Sequence, residues 1–124
     1  MTLSVAVATI LDNKTVAASA SSVLTDCTAV AGATLVALGV EAVMTFHASA
    51  TAGATIKVFS SRNGTNFTTT PIQEYDVPVS ANATVRHAFT VLPGHAYYRV
   101  QVTNLDAGQS ITALSVFAEP QVLS

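Results

Sequence analysis

The feature that most constrains the fold of this chain is the regular recurrence of short β-rich segments separated by turn residues. Segments rich in Val, Ile, Thr and Tyr alternate with turn sequences such as Asn-Gly, Pro-Gly and Asp-Ala-Gly along the 124 residues. Parallel strands need long crossovers, and no helical pattern of useful length separates these segments, so the strands are expected to pair antiparallel. The sequence predicts one all-β domain, an antiparallel β-sandwich of jelly-roll-like type with about eight strands.

The alternation of side chains assigns faces to the clearest strands. In Val40–Ser49 the residues Val40, Met44 and Phe46 fall on one face, as expected of a strand with one face in the core. In Tyr97–Asn104, Tyr98 falls on the apolar face and Tyr97 on the opposite one. The remaining predicted strands are Ser4–Ile10, Val23–Val30, Thr34–Leu38, Thr55–Ser60, Phe67–Thr70, Ile72–Val79, Ala83–Leu92 and Ile111–Ala118.

Turn and breaker residues set the predicted ends of these strands. Gly39 is interpreted as the end of one strand, and Pro120 follows the end of the last one. The Asn63-Gly64 pair predicts a tight hairpin turn, because both residues tolerate positive φ. In the last strand, strict alternation places Leu114 and Val116 on one face, and it places Ile111 and Phe117 on the other.

The first part of the chain allows more than one interpretation. Residues 1–22 are simple in composition and are expected to form either an arm or the first strand, with residues 23–124 forming the sandwich of a single domain. A helix over Ala29–Val43 is an alternative that Ala and Leu favour and that Gly32 and Gly39 disfavour. No positive charge precedes the first apolar run, so no signal peptide is expected. The apolar stretch 29–46 contains glycines and Glu41, and a membrane span is not expected there.

The charge content argues for contacts with other proteins. Charged residues make up 10% of the chain, against about 25% in typical soluble domains. The formal net charge is −2 and the five cationic residues are scattered, which excludes the clustered cations that nucleic-acid binding needs. Several strands are apolar on both faces, whereas a two-layer sandwich buries one face of each sheet. We therefore expect a partner or a second copy to cover part of this surface.

The sequence gives no sign of catalytic or cofactor chemistry. It contains no nucleophile, zinc or phosphate-binding motif, and His47, His87 and His95 lack the close spacing of zinc ligands. Glu74 and Asp76 share a strand face, which is typical of a solvated edge as well as of paired carboxylates. Cys27 is a lone cysteine, interpreted as a small buried hydrophobe. We expect a protein that is not an enzyme and that binds no metal or cofactor.

Three segments carry a resemblance to a known class of proteins. They are Ile56–Phe67, which contains the Asn-Gly turn, Tyr97–Asn104 with the sequence YYRVQVTN, and the closing Ile111–Val116. Together they make residues 43–120 resemble the small β-sandwich structural proteins of tailed bacteriophages, especially capsid decoration (cement) proteins. The resemblance implies a virion structural protein on the capsid surface, made in the host cytoplasm, that contacts the major capsid protein or another virion protein and itself as a dimer or trimer.

The expected contact residues lie at the two termini and among the aromatic side chains. A neck or tail protein is a close variant of the same expectation. A carbohydrate-binding module is an alternative of a different class, which would expose Tyr75 or Tyr97 in a groove. The candidate interface residues are Leu3, Val5, Val7, Phe67, Tyr75, Tyr97, Phe117, Val122 and Leu123.

Overall fold

A computed structural model describes residues 3–5, 7–22, 28–31 and 35–123 of the chain. Within these residues the structure is built from β-strands. The strands are β1 (Leu3–Val5), β2 (Ala8–Val16), β3 (Val30–Ala31), β4 (Leu35–Phe46), β5 (Ala54–Ser61), β6 (Gln73–Val77), β7 (Thr84–Val91), β8 (Tyr97–Asn104) and β9 (Ile111–Leu123). Both β1 and β2 pair with β9, so they are consecutive parts of one strand position and the sandwich has eight positions.

The strands form two antiparallel sheets in jelly-roll order. Sheet A has the order β1/β2-β9-β4-β7, and sheet B has the order β3-β8-β5-β6. Successive strands mostly alternate between the sheets, which is how a jelly roll interleaves its two layers. The predicted fold class is therefore confirmed. The pairing also places β7 at one edge of sheet A and β6 at one edge of sheet B.

The core lies between the sheets and consists of the inward-facing positions of each strand. Val40, Ala42, Met44 and Phe46 are all buried in β4, and Tyr98 is buried in β8. These burials confirm the faces predicted from the alternation of side chains. Branched aliphatic residues dominate this core, as expected for side chains that fill a pleated surface.

Two residues interpreted as strand breakers lie inside strands. β4 runs without interruption through Gly39, which pairs with Thr90 on one side and Glu119 on the other. β9 likewise continues past Pro120, which pairs with Leu38. On its other side Pro120 falls at the break between β1 and β2, where a missing backbone donor is tolerated. Pairing with neighbouring strands, on both sides for Gly39 and with β4 for Pro120, therefore overrides the local tendency of these residues to end a strand.

A β-bulge in β9 changes the predicted facing of its first residues. Thr112 pairs with Thr45 and Ser115 pairs with Val43, so β9 contains one more residue than β4 over this stretch. Ala113 lies in this bulge with a φ of 51°. The extra residue resets the alternation, so Ile111 and Leu114 are both fully buried. The prediction that Ile111 faces away from Leu114 was therefore wrong.

Two further predictions differ from the structure, and one alternative is excluded. The predicted strand Phe67–Thr70 is a single bridge between Ser61 and Phe67, and the segment after it is irregular. Gly64 has a φ of 78°, whereas Asn63 stays at negative φ, so the turn is not the two-residue type. The described part of Ala29–Val43 forms strands, which excludes the helical alternative there. Most of the predicted strand Val23–Val30, including Cys27, lies outside the described residues.

Candidate assembly surfaces

One end of the sandwich is held together by a buried aspartate. The Asp106 carboxylate accepts hydrogen bonds from the backbone N–H groups of Thr51 (2.7 Å) and Ala52 in the β4–β5 loop. It also accepts bonds from the N–H groups of Gly108 (2.8 Å) and Gln109 in its own turn. The backbone N–H of Thr51 and then that of Gly108 are the main causes that lower the pKa of Asp106 to about 2. The ionised carboxylate therefore fixes two loops at this end.

Asn104 ties the segment after β2 to the same end. Its side-chain amide donates to the carbonyl oxygens of Val16, Ala17 and Gln109. The backbone N–H of Asn104 donates to Ala20, at 2.8 Å. Through these bonds and the pairing of β2 with β9, the described part of residues 1–22 forms part of the sandwich body.

The residues considered for catalysis or metal binding lie on different elements, except that Glu74 and Asp76 share β6. His47 follows β4, where its Nδ1 accepts the backbone N–H of Ser49, while His95 lies in the β7–β8 turn. Glu74 and Asp76 are exposed on β6. Within the described part of the chain, no group of three or more His, Cys, Asp or Glu residues could hold a metal ion. The described residues also contain no helix that is long and apolar enough to cross a membrane.

The candidate interface residues at the termini lie along β9. The backbone of Leu3 and Val5 in β1 pairs with Leu123 and Gln121 of β9. Val7, between β1 and β2, is 69% exposed. Val122 is half-buried, and it pairs with Leu35. The terminal candidates are therefore brought together at one edge of sheet A, although the side chains of Leu3, Val5 and Leu123 lie outside what the structure describes.

The aromatic candidates are separated over both sheets. The Arg99 guanidinium lies over the Phe67 ring at 4.4 Å, in the favourable range for a cation–π contact. Tyr97 is half-buried beside Gly64, where an added Cβ would lie 3.3 Å from its ring. Tyr75 stacks on Phe89 with ring centroids 4.5 Å apart. Phe117 is half-buried on sheet A, opposite Glu41.

The edges of the two sheets differ in how well they are protected against further strand pairing. β6 has five residues, lies between Pro71 and Pro78, and carries two acidic side chains. β3 has two residues, and the β2 pairing contains three register shifts. Short length, proline, charge and irregularity are the devices that prevent edge-to-edge association.

Of these devices, β7 has only a single charged side chain. It pairs with β4 over eight residues in unbroken register, and it contains no proline and one charged side chain, Arg86. Gln73 bonds the Thr90 carbonyl and the Leu92 N–H from the outer side. In a strand, the backbone groups of every second residue point to the same side. The N–H and C=O groups of Thr84, Arg86 and Ala88 therefore point away from β4, as those of Thr90 and Leu92 do. Among the described residues, no strand is paired with this side of β7.

The space between the edges β6 and β7 is only partly closed. Val85, His87 and Phe89 lie opposite Met44, Ala42 and Val40 and therefore face inward. All three are nevertheless half-exposed, because they lie at the margin of the sandwich. The rings of Tyr75, His87 and Phe89 contact one another across this margin.

Comparison with known proteins shows one similar fold. No protein-family model matches the chain, and no curated protein matches it. A solved structure described as "Bacillus endospore appendages form a novel family of disulfide-linked pili" is similar to the chain with a TM-score of 0.52 and 16% sequence identity. The similarity covers 99% of this chain and 90% of that one. At this level of identity the likeness shows a shared fold.

Sequence reasoning did not identify β7 as the long, regular edge of sheet A. Its sequence, TVRHAFTV, does carry a signal, because it lacks proline and has one charge over eight residues. That signal could not be recognised without knowing which strands lie at the sheet edges. Gly39 likewise resembles a strand end in the local sequence, although the structure places it in the centre of a sheet face.

Proposed function

We propose that this chain is a non-enzymatic structural subunit that assembles with other protein chains through the edge of sheet A. The observation that carries the proposal is β7, a long and regular edge strand whose one protective feature is the charge of Arg86. An added strand would satisfy the outward backbone groups of β7 and cover the half-exposed Val85, His87 and Phe89. The low charge content fits the same role, because few charged side chains oppose close contact.

Two kinds of assembly are consistent with such an edge. The resemblance to capsid decoration proteins leads us to propose a capsid surface, where repeated weak contacts with the major capsid protein act together. The fold shared with a pilus protein of Bacillus supports a second candidate, a fibre formed by successive subunits. A head-to-tail contact that does not close into a ring generates such a fibre.

The carbohydrate-binding alternative has weaker support. Sugar stacking needs a free aromatic face, and one face of the Tyr75 ring is stacked on Phe89. Tyr97 is half-buried. Phe67, Arg62 and His95 line an open cavity, but neither of these tyrosines lines it.

A lysine placed on the inner side of β7 tests the role of the edge. In Val85→Lys the ammonium group can reach water from an open edge, but an added strand would bury it. Thr84→Lys adds the same charge on the outer face of the same strand and is the matched control. We expect the wild type and T84K to form oligomers or fibres in light scattering and electron microscopy, while V85K stays a folded monomer.

The outcomes separate the candidates. Fibres of the purified protein support the pilus-like assembly. Discrete dimers or trimers that co-sediment with capsids lacking their decoration layer support the capsid role. A wild-type protein that stays monomeric at the highest attainable concentration, or a V85K variant that assembles as well as T84K, contradicts the proposal.

A further inference from the structure

The outer face of sheet A contains a hollow where three strands lie side by side. Glu119 of β9, Gly39 of β4 and Thr90 of β7 are direct neighbours across the sheet. Glu41 and Gln121 border the same hollow, which has a volume of about 340 Å³. The missing side chain of Gly39 forms its floor.

Nothing in the described part of the chain requires a glycine at position 39. Among the described glycines, positive φ is found at Gly64 and Gly94 and not at Gly39. A Cβ added to Gly39 would have Glu119 as its nearest neighbour, at an ordinary contact distance of 3.5 Å. Glycine inside a strand costs roughly 0.5–1 kcal/mol relative to Ala. Such a glycine often marks a place where another molecule approaches the backbone closely.

The border of the hollow is acidic. Glu41 forms an ion pair with Arg86 at 3.5 Å, and this is the one ion pair within the described residues. The exposed Glu119 carboxylate, whose Oε2 would lie 3.5 Å from the added Cβ, therefore has no cationic partner in the described part of the chain. The hollow keeps an excess negative charge that a cation from outside can neutralise.

A complementary cationic site lies elsewhere on the same molecule. Arg62 is exposed where the chain leaves β5 of sheet B. It borders an open cavity with His95 at the end of the sandwich, and no acidic residue lines this cavity. Because the hollow is on the outer face of sheet A and Arg62 extends from sheet B, the two sites belong to different surfaces of one chain.

We propose that the Gly39 hollow receives the Arg62 side chain of a second copy of this chain, with Glu119 as its main ionic partner. This inference rests on the proposed function, because it names the partner and one contact of the assembly. The contact joins two different surfaces, so it can repeat head-to-tail from copy to copy. Phe117 of β9 pairs with Glu41 of β4, and it supplies apolar surface next to the ionic contact.

Three single variants and one double variant test this contact by sedimentation velocity at low salt. Gly39→Leu fills the hollow, Glu119→Lys reverses its charge, and Arg62→Glu reverses the charge of the incoming side chain. Each is expected to weaken self-association by about tenfold or more, as is usual for the loss of a paired charge or a filled pocket at an interface. Glu74→Lys makes the same change in net charge as E119K on an exposed strand outside the hollow, and it is expected to leave the association constant unchanged.

The double variant R62E/E119K reverses both partners, so it is expected to recover most of the association lost in each single variant. Failure to recover, or an E119K variant that associates as strongly as E74K, would overturn the inference. Thermal unfolding checks that each variant folds. Should G39L fail to fold, the exposed Glu119 and Arg62 variants still decide the question.

The test separates this inference from the proposed function. Loss of assembly in V85K together with unchanged assembly in G39L and E119K refutes the hollow and leaves the edge-strand role in place. A wild-type protein that never self-associates refutes both.

Discussion

Replacement of Tyr98 by Phe removes a single oxygen atom from the core and leaves the ring in place. The Tyr98 side chain is 1% exposed. Its hydroxyl donates to the Leu92 carbonyl at 2.9 Å and accepts the His95 backbone N–H at 3.1 Å. The two bonds hold the β7–β8 loop against the end of the sandwich. Tyr98→Phe therefore reports the stabilisation from these two bonds alone.

The expected loss of stability in Y98F depends on the surroundings of the two hydrogen bonds. A neutral hydrogen bond contributes about 1 kcal/mol net, and a buried group left without a partner costs up to about 3 kcal/mol. Leu92 and His95 are exposed, so water can replace part of the lost bonding. We expect Y98F to lower the free energy of unfolding by about 1.5 kcal/mol, which lowers the Tm by about 6 °C in a domain of this size.

The adjacent residue provides the control. Tyr97 lies on the opposite face of β8, and its hydroxyl forms no hydrogen bond to the described residues. Tyr97→Phe removes the same atom and is expected to change the free energy of unfolding by less than about 0.5 kcal/mol. Urea unfolding followed by circular dichroism measures both variants. Equal stabilities of Y97F and Y98F would refute the stabilising contribution of the two hydrogen bonds of the Tyr98 hydroxyl.

Three other predictions follow from the loops and the bulge. Since the folded pKa of Asp106 is lowered to about 2 from 3.8, its contribution to stability is complete above about pH 4 and is lost as the pH falls through 2. Asp106→Asn should thus have a lower Tm than the wild type at pH 7, and this difference in Tm should become smaller between pH 4 and pH 2. A difference in Tm that stays constant over this pH range contradicts the prediction. Gly53→Ala brings a Cβ to 2.0 Å from the Val77 carbonyl oxygen and should lower the free energy of unfolding in urea by about 3 kcal/mol or more. In the control Gly108→Ala the nearest contact of the new Cβ is at 3.8 Å, so its free energy of unfolding should change little. Ala113→Gly should not lower the urea midpoint, because the φ of 51° is strained for Ala by about 1–2 kcal/mol.

The local sequence was sufficient to predict most strands and their faces. β8 has the bounds predicted from its alternation, and β7 differs from its prediction by one residue at each end. The inward faces of β4 and β8 were also predicted, because the period of two and the burial of apolar side chains act within a single strand. Contact residues were harder to predict, since a contact surface depends on which strands meet the edge of a sheet.

Three errors in the prediction of strands have the same physical origin. Gly39 and Pro120 end an isolated strand, but neighbouring strands hold them in an extended conformation here. The bulge at Ala113 exists because β9 must match β4 on one side and β2 on the other. A pattern read along one strand contains no information about these neighbours.

The sequence by itself determined that this chain forms antiparallel strands with one apolar face each, because alternation and turn residues act over a few neighbouring positions. The tertiary structure alone decided which strand became the long, regular edge of sheet A and that Gly39 would lie between Thr90 and Glu119. Strand order and register arise from contacts between residues far apart in the chain. The candidate surfaces for assembly depend on those contacts.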